Sequence, residues 1–342
     1  MDTADSTLTL VLPPCSIPET DQPLFAEQLS RHASELKNIR TLFARGQREA
    51  SAAQATALGH CFGFNFQSVD DIPFATLMAA GNGIDSSTGY WLCAEPVHLQ
   101  PDLDHVVLFD HYSFELSQLE LSHLLEDIKP LLTESGIEPH VGDDHIIYLR
   151  LGDVPQAQFT AIHDVVGKNI LPFMPGGEQA SKWSLLANEI QMLMTQSDTN
   201  TQREQRGELP VNGLWFWGGG FLSPQRYAQQ YDEVFSVDPL ARGLANFRGI
   251  TANATDKDFA DVDLGRRTLI SLGAPTREPE HCMDMLLNIE RNWLTPAFQA
   301  LKKGTLGTLV VLGDHGWVSM NKKALGRFWK RPLAVKDLVE CL

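Results

Sequence analysis

Basic residues are scarce in this sequence: 27 lysines and arginines stand against 43 aspartates and glutamates, a formal charge of −16. A surface this acidic repels DNA, RNA and anionic membranes unless its basic residues gather locally. The one basic run, Lys322, Lys323, Arg327, Lys330 and Arg331, has Phe328 and Trp329 interleaved. It reads as a solvated helix face, with room for a small anionic partner. Cysteine is also thin. The five cysteines, at 15, 61, 93, 282 and 341, are scattered without a Cys-x-x-Cys pair, which excludes a disulfide framework and a zinc-finger pattern. No apolar run approaches the roughly 20 residues of a membrane helix. The opening Met-Asp-Thr-Ala-Asp lacks the basic and apolar stretches of a secretory leader. The expectation is a soluble, reduced, cytoplasmic protein with no nucleic-acid and no membrane partner. Missing too are a P-loop, a dinucleotide fingerprint, a Gly-x-Ser-x-Gly elbow and a His-Glu-x-x-His helix, which removes several common enzyme classes. No internal repeat is found.

What is present is ordinary globular material: 43% hydrophobic and 20% charged residues, in a length that favours roughly two domains. Apolar spacing predicts a strand over 8–12, helices over 26–45, 50–58 and 73–80, then strands over 90–99 and 105–109. A helix over 117–132, a strand over 146–151 and a helix over 159–166 follow. A Pro/Gly-rich joint at 171–177 marks a change of texture. Beyond it come a helix over 182–195, a strand from Val211 ending in three glycines, a strand over 234–237, a helix over 240–247, a strand over 269–272, a long helix over 283–301 and a strand over 309–312. Strands alternating with helices after residue 210 argue a parallel α/β sheet.

Thr308 to Leu312 is an unbroken apolar run closed by Gly313-Asp314-His315-Gly316. Such a run reads as a buried parallel strand, and α/β enzymes gather ligands just beyond the carboxyl ends of those strands. Asp314 beside His315 suits a divalent ion such as Zn²⁺ or Mn²⁺, and equally a strand-end turn. Glu280-His281, ahead of the long helix, is a second possible ligand pair. Gly218, Gly219 and Gly220 after a strand could cradle a phosphate with their backbone N–H groups, or serve as a flexible turn. His98, His105 and His111 are close in sequence, but their spacing does not make them converge. Trp215 and Trp217 read as core.

Several segments together resemble a known family. Asn188-Glu189, Asn200, Arg203, Gly207 and Pro210-Val-Asn lead into the glycine-tipped strand. Pro73-Phe-Ala-Thr-Leu-Met-Ala-Ala-Gly lies upstream; Ala274-Pro275, Ile289-Glu290 and Asp314-His315-Gly316 lie downstream. In this order they resemble the archaeal-type, cofactor-independent phosphoglycerate mutases of the alkaline phosphatase superfamily, and among them most the bacterial RpfE-type regulatory proteins. The resemblance implies an α/β fold with an alkaline-phosphatase-like, mainly parallel core from residues 1–89 and 175–342, and an inserted α+β domain over 90–174. It also implies a ligand site at Arg203, Asn212 and Gly218–Gly220, and metal ligands among Asp314, His315, Glu280 and His281. The departures are specific. The family's first strand ends in a metal-binding Asp-Gly, where this chain has Pro13-Pro14. The nucleophilic serine falls on Ala50, with Ser51 one place late. The aspartate after Ala-Pro is Thr276, and no histidine follows His315. An alanine cannot form a phosphoenzyme, and a two-metal centre needs more carboxylates and imidazoles than remain. The expectation is therefore a degenerate member, with no tightly bound cofactor, binding a small anionic ligand or a regulatory protein. The alternative is an active Mn²⁺- or Zn²⁺-dependent mutase or phosphatase with relocated ligands, using Ser51.

Overall fold

The computed structural model describes residues 6–15, 17, 21–50, 53–222, 230–253, 257–273, 276, 278–314, 316–334 and 337–338. The chain divides into two units, one from residues 1–71 with 226–342 and the other from 72–225. Each has its own sheet. The joints differ from the expected 89/90 and 174/175, and the cause lies in one strand. Gly213–Gly220, expected to open the parallel core, pairs antiparallel with Tyr90–Asp102 instead.

In the first unit, β1 (Thr7–Val11) lies between β10 (Arg267–Ser271) and β11 (Thr308–Gly313), parallel to both. Leu8 sits opposite Leu309. β8 (Glu233–Phe235) and β9 (Ala252–Asn253) continue the parallel set beyond β10. The opposite edge is antiparallel: β12 (Gly316–Asn321) folds back along β11, and β2 (Gln47–Ala50) pairs with β12. Leu8 and Leu10, at most 1% exposed, face a core that includes Leu29, Ile39, Leu286 and Leu301. This is a mixed α/β fold with a mainly parallel sheet.

The helices of this unit depart from sequence expectation in three informative ways. The run 26–45 is two helices, α1 (Gln22–Arg31) and α2 (Lys37–Arg45). Glu290 explains the break: its carboxylate accepts the Asn38 and Ile39 N–H groups at 2.7 and 2.8 Å, capping a new helix start from across the core. The helix expected over 50–58 is α3 (Gln54–Cys61), and Ala50 instead ends strand β2, because residues 47–50 have a pairing partner in β12 that the sequence does not show. The long helix is α9 (Pro279–Ile289) and α10 (Thr295–Lys303), joined by a π-helical turn over Glu290–Leu294.

In the second unit, β3 (Tyr90–Asp102) is flanked by β7 (Gly213–Gly220), β6 (Ile147–Leu151) and β4 (His105–Phe109), with β5 (Ile137–Val141) outside β6. Helices α5 (Gln118–Glu134) and α6 (Ala180–Thr195) bury Leu121, Leu124, Ile128, Trp183, Leu186 and Ile190 against this sheet. The expected helix over 159–166 is only a 3₁₀ turn at Ile162–Asp164. The chain after that turn hydrogen-bonds to β4 instead, Gly167 N–H to Leu108 O at 2.8 Å and Ile170 N–H to Val106 O at 2.9 Å. α5 starts on a capping box between Ser117 and Glu120.

Burial works against the charge of Glu120. Hydrogen bonds from the Ser117 backbone and hydroxyl, with the Arg203 and Arg206 guanidiniums, outweigh it and hold the carboxyl at about 2. A carboxyl depressed in the folded state stabilises above its unfolded value, and that contribution is lost as pH falls through the folded one. Glu120→Gln is therefore expected to lower stability at neutral pH and to flatten the loss of stability between about pH 5 and about pH 2. Urea unfolding across that range checks it; parallel curves for the two proteins would remove Glu120 from the acid limb.

Candidate functional site

The carboxyl ends of the parallel strands form the edge where the sequence places its chemistry. β1 runs out at Val11, and Leu12 is held on both sides: its N–H donates to Leu312 O at 2.8 Å, and its carbonyl accepts from Gln54 Nε2 at 2.8 Å. Pro13 and Pro14 follow, and Cys15 then bridges to Thr276, whose N–H reaches Pro14 O at 3.2 Å. On the other side β11 and β12 turn between Gly313 and Gly316, which pair with each other. Gly316 has φ +121°, a backbone that side chains other than hydrogen rarely adopt. Opposite Gly316 lies Ala50. The fold thus brings to one edge the positions that the resemblance marks as nucleophile and ligands, and fills them with Ala50, Pro13 and Thr276.

Asp314 stands at this edge with two groups the sequence reading missed. Cys282, in the first turn of α9, faces inward, fully buried, with the Cys15 thiol as its electrostatic neighbour. The facing Cys282 thiol, burial and the nearby Asp314 charge push the Cys15 thiol far above its ordinary value; Cys15 draws Cys282 below its own, against burial and the Asp314 charge. Glu280 and His281 both face solvent; His281 Nδ1 pairs outward with Glu278 at 2.9 Å. The expected third ligand is thus turned away, because the helix phase that buries Cys282 exposes its two neighbours. His315 and Ser51 lie outside the described residues. Among the described residues no three His, Cys, Asp or Glu side chains are grouped to hold one metal ion. Among the described residues, one carboxylate beside two thiols does not fit a two-metal centre of oxygen and nitrogen donors.

Beside this edge, a cavity of about 360 Å³ is lined by Ser271, Leu272 and Gly273 at the end of β10, by Asn288 and Asn292, and by Lys257. Lys257 Nζ sits 4.0 Å from the Phe235 ring centre. The cavity offers one cation, two amides and a hydroxyl, together with the Asp258 carboxylate; Lys257 Nζ also donates to Asp261 O at 3.2 Å.

Among the described residues, the expected ligand residues of the second unit have structural partners of their own. Arg203 is 1% exposed, and its guanidinium donates to Leu209 O, Glu115 O and Glu120 Oε1. The Asn212 side-chain amide is engaged by the Leu99 backbone, Oδ1 accepting from its N–H at 2.7 Å and Nδ2 donating to its carbonyl at 3.0 Å. The three glycines are explained by packing. A Cβ on Gly220 would meet Pro73 Cβ at 2.6 Å, and one on Gly218 would meet Phe74 Cβ at 2.8 Å. Helix α4 (Phe74–Gly81) needs that close approach to β7. Gly220→Ala is expected to cost about 1–3 kcal/mol through overpacking. Denaturant unfolding reads it, and a neutral result would return the glycines to a ligand role.

Glu95, also missed, is a charge in the middle of an apolar strand. It is 3% exposed, accepts from Trp217 Nε1 at 3.1 Å, and pairs with His111 Nδ1 at 2.8 Å. His98 bonds Pro210 O, and His105 lies against Asp102 and Asp104. The three histidines therefore serve different partners.

No protein-family model matches the chain. A probable 2,3-bisphosphoglycerate-independent phosphoglycerate mutase of Geobacter sulfurreducens is 28% identical over 164 residues, covering 45% of this chain and 40% of that protein. The 2,3-bisphosphoglycerate-independent phosphoglycerate mutase of Methanosarcina barkeri is 24% identical over 174 residues, covering 48% and 44%. The chain is similar to these mutases. The match spans less than half of each relative's length. A solved protein of Pyrococcus horikoshii shares the fold with a TM-score of 0.51 at 12% identity, over 92% of this chain and 86% of that one. Among the described residues no helix is long and apolar enough to cross a membrane.

Proposed function

We propose that this mutase-like chain keeps the crevice at its strand ends and has lost the group-transfer chemistry, acting as a ligand-binding regulatory protein of the RpfE type. One observation carries the reading: Ala50, Pro13, Cys15 and Thr276 meet at the edge that holds Asp314. None of Ala50, Pro13 and Thr276 supplies a carboxylate, an imidazole or a serine hydroxyl. The adjoining cavity is lined by Lys257, Asn288, Asn292 and Ser271 with the Asp258 carboxylate beside them, and Lys257 with the two amides is the part of it that would receive a small phosphorylated or carboxylic anion.

The test is thermal unfolding of the full chain with 3-phosphoglycerate, 2-phosphoglycerate or inorganic phosphate. A ligand at 100 times its Kd raises stability by about 2.7 kcal/mol. The expected result is a rise in Tm that Lys257→Ala removes, with the ligand recovered unchanged by phosphorus NMR. Recovery of both phosphoglycerate isomers from one would contradict the reading, and so would no shift with any of the three.

A further inference from the structure

The basic run near residue 330 is left unused by the strand-end crevice, and the structure gives it a shape that the sequence does not. Helix α11 covers only Lys322–Leu325, so the run is not a solvated helix face. After it the chain makes a tight turn, with Phe328 N–H on Gly326 O and Lys330 N–H on Arg327 O. Two guanidiniums pin the turn from below. Arg45 donates to Leu325 O and Lys330 O at 2.9 and 3.0 Å, and Arg327 Nη1 donates back to Arg45 O at 2.9 Å. Arg40 holds the next residues through Leu333 O at 2.7 Å. These cations bond to main-chain carbonyls rather than carboxylates, so they hold the turn without cancelling its charge.

The pinned turn presents two large aromatic side chains to solvent. Phe328 is 80% exposed and Trp329 is 68% exposed, with their rings edge to face at 5.5 Å. Lys322, Lys323, Lys330 and Arg331 are exposed around them. No aspartate or glutamate occurs between Gly316 and Lys336, in a chain whose formal charge is −16. Exposed adjacent aromatics inside an acid-free basic patch are the combination that sits at a membrane–water interface: the rings enter the headgroup level, and the cations meet anionic lipid. The short reach of charge in salt, about 8 Å, lets such a patch act locally although the whole chain is acidic. Edge-to-face rings on one rigid turn fit shallow insertion better than the parallel stacking that a single-stranded nucleic acid requires.

We propose that the Lys322–Arg331 turn is a peripheral docking surface for anionic phospholipid, with Phe328 and Trp329 as the inserted pair and the surrounding lysines and arginines as the electrostatic collar. Flotation of the full chain with phosphatidylserine-containing vesicles, against pure phosphatidylcholine vesicles, tests it. Binding is expected to the anionic vesicles alone. It should fall at least about tenfold in Phe328→Ala/Trp329→Ala, in Lys322→Glu/Lys323→Glu/Lys330→Glu, and on raising salt from about 0.1 M to about 0.5 M. Lipids brominated in the upper acyl chain should quench tryptophan fluorescence in the wild type and not in Trp329→Phe. All these positions are exposed, and circular dichroism verifies that the variants stay folded. Equal binding to both vesicle types, or none, would overturn the proposal. So would tighter binding to single-stranded oligonucleotides than to vesicles, or self-association that the same variants abolish.

Discussion

Arg203→Ala should lower stability by about 3–5 kcal/mol, the range for removing one partner of a buried ion pair. The side chain is 1% exposed and bonds two main-chain carbonyls and the Glu120 carboxylate, with its guanidinium against the Phe114 ring. The substitution leaves Leu209 O and Glu115 O without their donor and opens a cavity behind Phe114. Arg203→Lys should recover little, because a point charge cannot satisfy three acceptors set out for a planar fork. Urea unfolding followed by near-ultraviolet circular dichroism reads the effect. A loss under about 1 kcal/mol, together with weakened phosphoglycerate binding, would make Arg203 a ligand residue after all.

The second large effect is on turnover. Enzymes of ordinary efficiency reach about 1 to 1,000 turnovers per second, and deleting a catalytic nucleophile in a hydrolase costs about a millionfold. At the position that the resemblance marks as the nucleophile this chain has Ala50, set opposite Gly316 at the mouth of the β11–β12 turn. Purified protein supplied with Mn²⁺ or Zn²⁺ should therefore show no interconversion of 2- and 3-phosphoglycerate above background. Turnover that vanishes in Ser51→Ala would place the nucleophile one residue later and support an active enzyme with relocated ligands.

Much of the parallel core was legible because its strands are continuous apolar runs. Leu8–Leu12 and Thr308–Leu312 announce buried strands, and the two pair in parallel in one sheet. What the sequence concealed was partnership over long separations. Nothing local says that Glu290 will cap a helix at residue 38, or that Gln47–Ala50 will find β12. The glycine-tipped strand was recognised as a strand and assigned to the wrong sheet, since a buried antiparallel strand and a parallel one carry the same apolar run.

The middle segment that carries much of the family resemblance is scaffold. Asn200 brackets the backbone of Met194 and Val211, Gly207 turns at φ +75°, and Asn212 pairs with Leu99. Cys282 was passed over for its neighbours because helix phase cannot be fixed from two polar residues at a helix start. Its inward partner Cys15 lies beyond a pair of prolines that had marked the strand's end.

The most direct test of lost phosphoryl-transfer machinery is elemental analysis of protein purified without chelator. The account predicts well under one equivalent of zinc or manganese per chain, unchanged in Asp314→Ala. Two equivalents per chain, lost in Asp314→Ala, would contradict it.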